Sequence, residues 1–289
     1  MKICFIGLGV MGFPMAGHLI NRNNNLDIKV YNRSMAKSEK WTSQYKGTLT
    51  KSPSEAAEGC DIVFMCVGND KDVEQVVRGD EGVMASIPEN SIIVDHTTAS
   101  AKIAIELNNY CKKYKKVSFI DAPVSGGQAG AENGQLTIMV GGDKQAYNKV
   151  LPLLNSYAKN STLIGNSGSG QLAKMVNQIC IAGLLQGLSE AINFAQKLDL
   201  DVEKVIGVIK DGAASSWQMQ NRYKTMVEDE FDFGFAVEWM RKDLKICLDQ
   251  ADEVGARLPI TAVIDQFYSN VLSMGGRRWD TSSLIKLLR

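Results

Sequence analysis

The strongest constraint on the fold lies in the first two dozen residues. A short apolar run, Lys2–Ile6, meets Gly7-Leu8-Gly9-Val10-Met11-Gly12, and residues Met11 to Asn21 continue with helical spacing. Strand, glycines and helix in this order build a tight turn. Gly7 permits the turn, Gly9 lets a ligand approach the backbone, and Gly12 lets the helix pack on the strand. The helix start offers free N–H groups and a partial positive charge to an anion. In this context the pattern is a dinucleotide fingerprint. Three glycines alone would fit a turn that binds nothing.

A second strand, Asp27–Tyr31, ends at Asn32-Arg33-Ser34. A site that prefers NAD usually places Asp or Glu there, against the ribose 2′-hydroxyl. A carboxylate would repel a 2′-phosphate, whereas a guanidinium pairs with it bidentately. The residues therefore favour NADP(H), with NAD(H) as the alternative. An Arg33 that only stacks on adenine or faces solvent would carry no such preference.

The first half goes on alternating. Ser34–Tyr45 reads as a helix capped by Ser34. Asp61–Val67, apolar nearly throughout, reads as a strand buried on both faces. A helix over Asp70–Val77, a strand over Ser91–Asp95 and a helix from Ser100 to Lys113 follow. Strands at Val117–Asp121 and Leu136–Gly141, a helix at Ala146–Tyr157 and a strand at Thr162–Gly165 complete the series. Repeated βα units imply a mostly parallel sheet covered by helices.

The pattern changes at Gly165-Asn166-Ser167-Gly168-Ser169-Gly170. Gln171 to Leu198 carries apolar residues at helical spacing and would be about 40 Å long. Further helical segments lie near Asp201–Lys210, Trp217–Val227, Phe235–Val254, Ile260–Met274 and Ser282–Leu288. The chain thus reads as an α/β domain over 1–165 and an all-helical domain over 166–289 that begins in the long helix.

Lys+Arg and Asp+Glu both number 32, so the net charge is zero. That gives no electrostatic footprint for nucleic acid or an anionic membrane. The basic run Lys112-Lys113-Tyr114-Lys115-Lys116 reads as a solvated helix end. No apolar stretch approaches the ~18 residues of a membrane span, and the N-terminus lacks a signal-peptide pattern. The six cysteines have neither metal-ligand nor redox spacing and fit a reduced, cytoplasmic protein. No metal site is expected. With only two histidines, His18 and His96, acid–base chemistry falls to another residue type. His18 is expected to point outward and His96 to lie near the cofactor, neither as a catalyst.

Phe5-Ile6-Gly7-Leu8-Gly9-Val10-Met11-Gly12-Phe13-Pro14-Met15-Ala16 resembles the opening of the β-hydroxyacid dehydrogenases. That family includes 3-hydroxyisobutyrate dehydrogenases and semialdehyde reductases. Asp121-Ala122-Pro123-Val124-Ser125-Gly126-Gly127 is similar to its substrate-binding loop. The segment Gly168 to Gln178 is similar to its catalytic helix, and Lys242-Asp243-Leu244 to its C-terminal Lys-Asp pair. The resemblance implies a Rossmann-type domain, a long interdomain helix and an all-α domain, with the active site in the cleft between. It implies Lys174 as general acid/base and Asn177 as an orienting amide, with Gln178 in reserve. It also implies Ser125, Gly126 and Gly127 as the cradle of a substrate carboxylate. Val67 to Asn69, Thr98 and Lys242 match cofactor-side positions.

Hydride transfer between an alcohol and a nicotinamide needs a fixed substrate and a proton carrier for its oxygen. An ordinary lysine, with pKa about 10.4, must be lowered to serve well. Burial beside a second cation such as Lys242 would do so. A lysine in a long helix is otherwise usually a surface residue. Ser125-Gly126-Gly127 follows a strand end, where backbone N–H groups and a hydroxyl suit a carboxylate; the plain alternative is a flexible turn. Trp217, Arg222 and Phe233 fit either a substrate wall or ordinary packing.

The expected activity is hydride transfer between NADP(H) and a small β-hydroxy acid or its semialdehyde. The expected partners are a small carboxylate and further copies of the chain, as a homodimer or homotetramer. An imine reductase-like enzyme and a non-catalytic dinucleotide-binding protein are the competing readings. Relatives of both kinds usually replace the lysine that this chain keeps at 174. A phosphogluconate dehydrogenase would need a much larger helical domain.

Overall fold

A computed structural model describes residues 1–289. They form two compact units, Met1–Lys174 and Met175–Arg289.

The first unit begins β1 (Lys2–Ile6), α1 (Gly12–Arg22), β2 (Asp27–Tyr31), α2 (Met35–Gln44), β3 (Thr48–Leu49) and α3 (Pro53–Ala57). It continues with β4 (Ile62–Met65), α4 (Asp70–Arg78), α5 (Val83–Ser86), β5 (Ile92–Asp95), α6 (Ala101–Lys115) and β6 (Ser118–Asp121). Then come β7 (Val124–Ser125), α7 (Gly127–Glu132), β8 (Leu136–Gly141), α8 (Lys144–Leu154), β9 (Ala158–Gly165) and the start of α9 (Ser169–Lys197).

The strands make one sheet in the order β3-β2-β1-β4-β5-β6-β8-β7, with β9 paired to β8. Pairing is parallel from β3 to β6, antiparallel where β8 meets β6 and β7, and parallel again at β8–β9. The mostly parallel sheet expected from the βα repeats is therefore present. Strand order reverses between β1 and β4, so the carboxyl end of β1 is the topological switch point where open α/β sheets bind ligands.

Period-two alternation explains the two apolar layers. Ile3 and Phe5 of β1, Phe64 of β4 and Val94 of β5 face one side, against Met15 and Leu19 of α1, Trp41 of α2 and Val150 of α8. Cys4 and Ile6, Val63 and Met65, and Ile93 face the other side, against Val73 and Val77 of α4 and Ile103 and Leu107 of α6. Covering both faces makes the central strands apolar at every position.

Helix starts carry their own caps. Asn69, Ser100 and Asp143 each accept a backbone N–H from the first turn of α4, α6 and α8. Ser34 precedes α2 as expected but makes no side-chain cap bond. β3, α3, α5, β7 and α7 have no counterpart in the sequence reading. Each is six residues or shorter, too brief for a period to show. The basic run ends α6, and Lys115 donates to the carbonyls of Ala85 and Ile87 at 3.3 and 3.0 Å.

The second unit takes up α9 from Met175 and adds α10 (Val202–Ile209), α11 (Trp217–Val227), α12 (Val237–Val254) and α13 (Pro259–Ser273). The short helical segment expected near Ser282–Leu288 is a 3₁₀ helix, Thr281–Leu288, which closes the unit. Leu185, Met240, Leu244, Ile264, Tyr268 and Leu284 form one cluster, and Ile192, Ile206, Met226 and Ile285 a second. The Arg241 guanidinium donates to both oxygens of Asp265, at 2.9 and 3.0 Å, and ties α12 to α13. No helix is long and apolar enough to cross a membrane.

Candidate active site

The turn after β1 is built for close approach. Gly7 has φ +93°, and a Cβ there would lie 2.2 Å from the Cys66 carbonyl oxygen. A Cβ at Gly12 would lie 1.9 Å from the Gly7 carbonyl oxygen. A Cβ at Gly9 meets nothing within 4 Å, so that backbone faces open space at the start of α1. The Gly7 N–H donates to the Tyr31 carbonyl at 2.8 Å, and the Leu8 N–H to Asn32 Oδ1 at 2.9 Å. Val10 is exposed and Met11 half-buried. An open cradle at a helix N-terminus fits a pyrophosphate.

Asn32 is occupied on the backbone, since its Nδ2 also donates to the Ser34 carbonyl at 3.1 Å. Arg33 reaches outward, 89% exposed, with Nη1 3.4 Å from Asp72 Oδ1. So exposed a pair contributes little by itself. Val67 and Thr98 are half-buried at the ends of β4 and β5. The Val67 N–H donates to Thr97 Oγ1 at 2.9 Å, which joins those two strand ends.

Ser125 is half-buried in β7, and Gly126 and Gly127 after it are exposed. Gly126 has φ +131° and Gly127 φ +60°, and a Cβ at Gly127 would meet nothing within 4 Å. These conformations suit glycine and leave the backbone accessible.

Asp121 at the end of β6 anchors the start of α9. Its Oδ1 accepts the Gly168 N–H at 2.7 Å and its Oδ2 the Gln171 N–H at 3.0 Å. Burial pushes this carboxyl up, and the N–H groups of Gly168, Gln171, Asp121 itself and Gly170 draw it back down. Gln171 is buried as well. Its Oε1 accepts the Ala99 N–H at 3.0 Å, and its Nε2 donates to the Thr97 carbonyl at 2.7 Å. Lys174, one turn further on, is only 7% exposed. Lysine is almost never buried without a partner or a task.

Asn177 and Lys242 belong to the second unit. Asn177 Nδ2 donates to Gln178 Oε1 at 2.8 Å, and Gln178 Nε2 donates to Asp243 Oδ2 at 2.6 Å. The Lys242 ammonium lies 3.0 Å from Asp243 Oδ1.

His18 differs from expectation. His18 Nε2 lies 3.1 and 3.0 Å from the carbonyl oxygens of Ala131 and Glu132, at the end of α7. Half-buried, the ring gives the last carbonyls of α7 a side-chain partner. His96 is a core residue, with Nδ1 2.7 Å from the Ala122 carbonyl and Nε2 2.8 Å from the Tyr157 hydroxyl. Burial pulls its imidazole down to about 4. Below about pH 6.5 the unfolded chain takes up a proton that the native state refuses, so stability falls as pH drops from there toward 4. The expected loss between pH 7 and 5 is about 2 kcal/mol. Urea unfolding at the two pH values should show it in the wild type and much less in His96→Gln; equal losses would remove His96 as the cause.

Arg222 lies 4.6 Å from the Trp217 ring centroid and 5.0 Å from that of Phe233, and its Nε is 3.4 Å from Asp280 Oδ1. Asp280 also accepts the Phe235 N–H at 2.9 Å, so Arg222 is engaged in packing this corner of the helical unit.

The sheet order, the glycine turn at the switch point and the open cradle define a Rossmann-type nucleotide-binding unit. Comparison with known proteins extends this. Residues 2–165 match the family described as the NAD binding domain of 6-phosphogluconate dehydrogenase. Residues 168–288 match the one described as NAD-binding of NADP-dependent 3-hydroxyisobutyrate dehydrogenase. An uncharacterized oxidoreductase of Shewanella frigidimarina is 55% identical, over 99% of this chain and 98% of its own. The 2-hydroxy-3-oxopropionate reductase of Escherichia coli is 32% identical, over 100% of this chain and 97% of its own. The structure of Mycobacterium tuberculosis 3-hydroxyisobutyrate dehydrogenase with L-serine has a TM-score of 0.87 at 26% identity, covering 100% of this chain and 99% of that one. The chain belongs to the β-hydroxyacid dehydrogenase family, whose members carry NAD(P)-binding domains.

Proposed function

We propose that this chain is an NADP(H)-dependent dehydrogenase or reductase of small β-hydroxy acids and their semialdehydes, with Lys174 as the proton carrier. The observation that carries the reading is the burial of Lys174 on the first turns of α9, in the unit that also holds the Gly7–Gly12 turn and the Ser125 loop.

Gly7, Leu8, Gly9, Val10, Met11 and Gly12 hold the pyrophosphate against the start of α1. Arg33 pairs with the 2′-phosphate, flanked by Asn32 and Ser34, and Val67 and Thr98 border the nicotinamide end. When bound, the cofactor supplies or accepts the hydride. The Ser125 hydroxyl and the N–H groups of Gly126 and Gly127 hold the substrate carboxylate, which fixes the carbon to be attacked. Lys174 gives a proton to the substrate oxygen during reduction and takes it back during oxidation. Asn177 orients the substrate, and Lys242 serves the cofactor side. The names of the relatives support substrates of this size, and the absence of a membrane-spanning helix is compatible with a cytoplasmic enzyme.

The test is a panel of glyoxylate, succinic semialdehyde, methylmalonate semialdehyde, tartronate semialdehyde and serine, each with both cofactors, read by absorbance of the reduced nicotinamide. Turnover of at least one with NADPH is expected; turnover of none would overturn the activity. In Arg33→Ala, NADPH should weaken by about tenfold or more, for a lost charge-assisted pair of about 1.5–3 kcal/mol, with NADH little changed. Equal losses for the two would remove the NADP(H) preference.

A further inference from the structure

The placement of Lys174 depends on how the first turn of α9 is held, and that hold is made by side chains with no role so far. Lys174 follows Gln171 by three positions, so the two are neighbours on one helix surface, about 4.5 Å apart along the axis. Gln171 is 1% exposed. Its amide forms a two-bond clamp that brackets Thr98, accepting from Ala99 N–H at 3.0 Å and donating to the Thr97 carbonyl at 2.7 Å. Thr97 passes the connection on, because its hydroxyl accepts the Val67 N–H at 2.9 Å. Asp121 fixes the same turn from the other side through Gly168 and Gln171 N–H. One hydrogen-bonded chain thus runs from the lysine-bearing turn to the ends of β5 and β4.

We propose that Gln171 is a positioning residue that locks the proton carrier in register with the Thr98 and Val67 loops at the nicotinamide end. This rests on Lys174 being the proton carrier. The clamp needs a donor and an acceptor in one plane, at the length of a glutamine side chain. A displacement of about 1 Å at a reacting group costs about 100-fold in rate. A clamp that acts only on stability would leave the chemical step unchanged in folded enzyme.

Two variants separate these cases. Gln171→Met keeps the length and removes both hydrogen bonds. Gln171→Glu keeps an acceptor for Ala99 and loses the donor to Thr97 until its carboxyl is protonated. Both are assayed with NADPH and whichever acid of the panel the wild type reduces best, alongside Lys174→Ala and with folding checked by thermal melts. For Gln171→Met, kcat should fall by about 10–100-fold, NADPH affinity should change little, and the isotope effect on kcat with deuterated NADPH should rise as hydride transfer becomes limiting. For Gln171→Glu, the rate relative to wild type should climb as pH falls and the acid donates again. Wild-type kcat and isotope effect in folded Gln171→Met would overturn the proposal. If Gln171→Met does not fold, a flat pH ratio for Gln171→Glu overturns it instead. Should Lys174→Ala keep its rate, the reading beneath the proposal fails. Should Lys174→Ala be inactive while both Gln171 variants match wild type, only the clamp fails.

Discussion

Replacing Lys174 with alanine is expected to cut kcat by about 100- to 10,000-fold, the range for loss of a positioned acid–base group. Cofactor affinity should hold within a few fold, because the proposed pyrophosphate cradle is the turn after β1. Lys174 is 7% exposed, so truncation also opens space in the protein. Lys174→Met keeps most of the side-chain volume and removes only the ammonium. If both variants bind NADPH normally and both lose turnover, the loss belongs to the proton carrier and not to packing. Single-turnover reduction, followed through the nicotinamide absorbance, reads this directly. A near-normal rate in Lys174→Met would end the assignment.

The second large effect is a contrast within the glycine turn. Gly12→Val places Cβ 1.9 Å from the Gly7 carbonyl oxygen and 3.0 Å from the Phe5 ring. Backbone and core must both shift, at a cost of about 3 kcal/mol or more. A Cβ at Gly9 would meet nothing within 4 Å, so the side chain of Gly9→Val starts in open space and the fold should be untouched. The added side chain instead stands where the proposed site would receive the pyrophosphate. NADPH should weaken by about 100-fold, equivalent to about 2.8 kcal/mol. Thermal melts and fluorescence titration with NADPH separate the two: Gly12→Val loses stability, and Gly9→Val loses only the cofactor. A Gly9→Val protein that binds NADPH like the wild type would mean the pyrophosphate sits elsewhere.

Elements with long or doubly buried patterns were legible in the sequence. The apolar run that holds Ile62 to Met65 reads as an inner strand, and the apolar positions from Leu172 to Ala195 read as a long helix. The short pieces were hidden because a strand of two residues or a helix of four shows no period. The partners of His18, the terminal carbonyls of α7, lie 113 and 114 residues away and leave no local sign beside it. His96 stands two residues from Thr98, yet the aromatic partner that claims it, Tyr157, is 61 residues away. The glycine turn is legible in local sequence, whereas Lys174 stands out only through the resemblance of Gly168 to Gln178 to a catalytic helix, since a lysine in a long helix is otherwise usually a surface residue. The Gln171 clamp is not legible there, since its partners are backbone groups 72 and 74 residues away. Its trace in the sequence was a polar residue at the foot of an otherwise apolar helix face.

The most direct test is a crystal structure of the enzyme with NADP⁺ and the hydroxy acid product of its best panel substrate. Lys174 Nζ is expected within about 3 Å of the substrate hydroxyl oxygen, with the carboxylate against Ser125, Gly126 and Gly127. A substrate carbon lying against the nicotinamide with Lys174 Nζ beyond reach, and no water between them, would contradict the role given to that lysine.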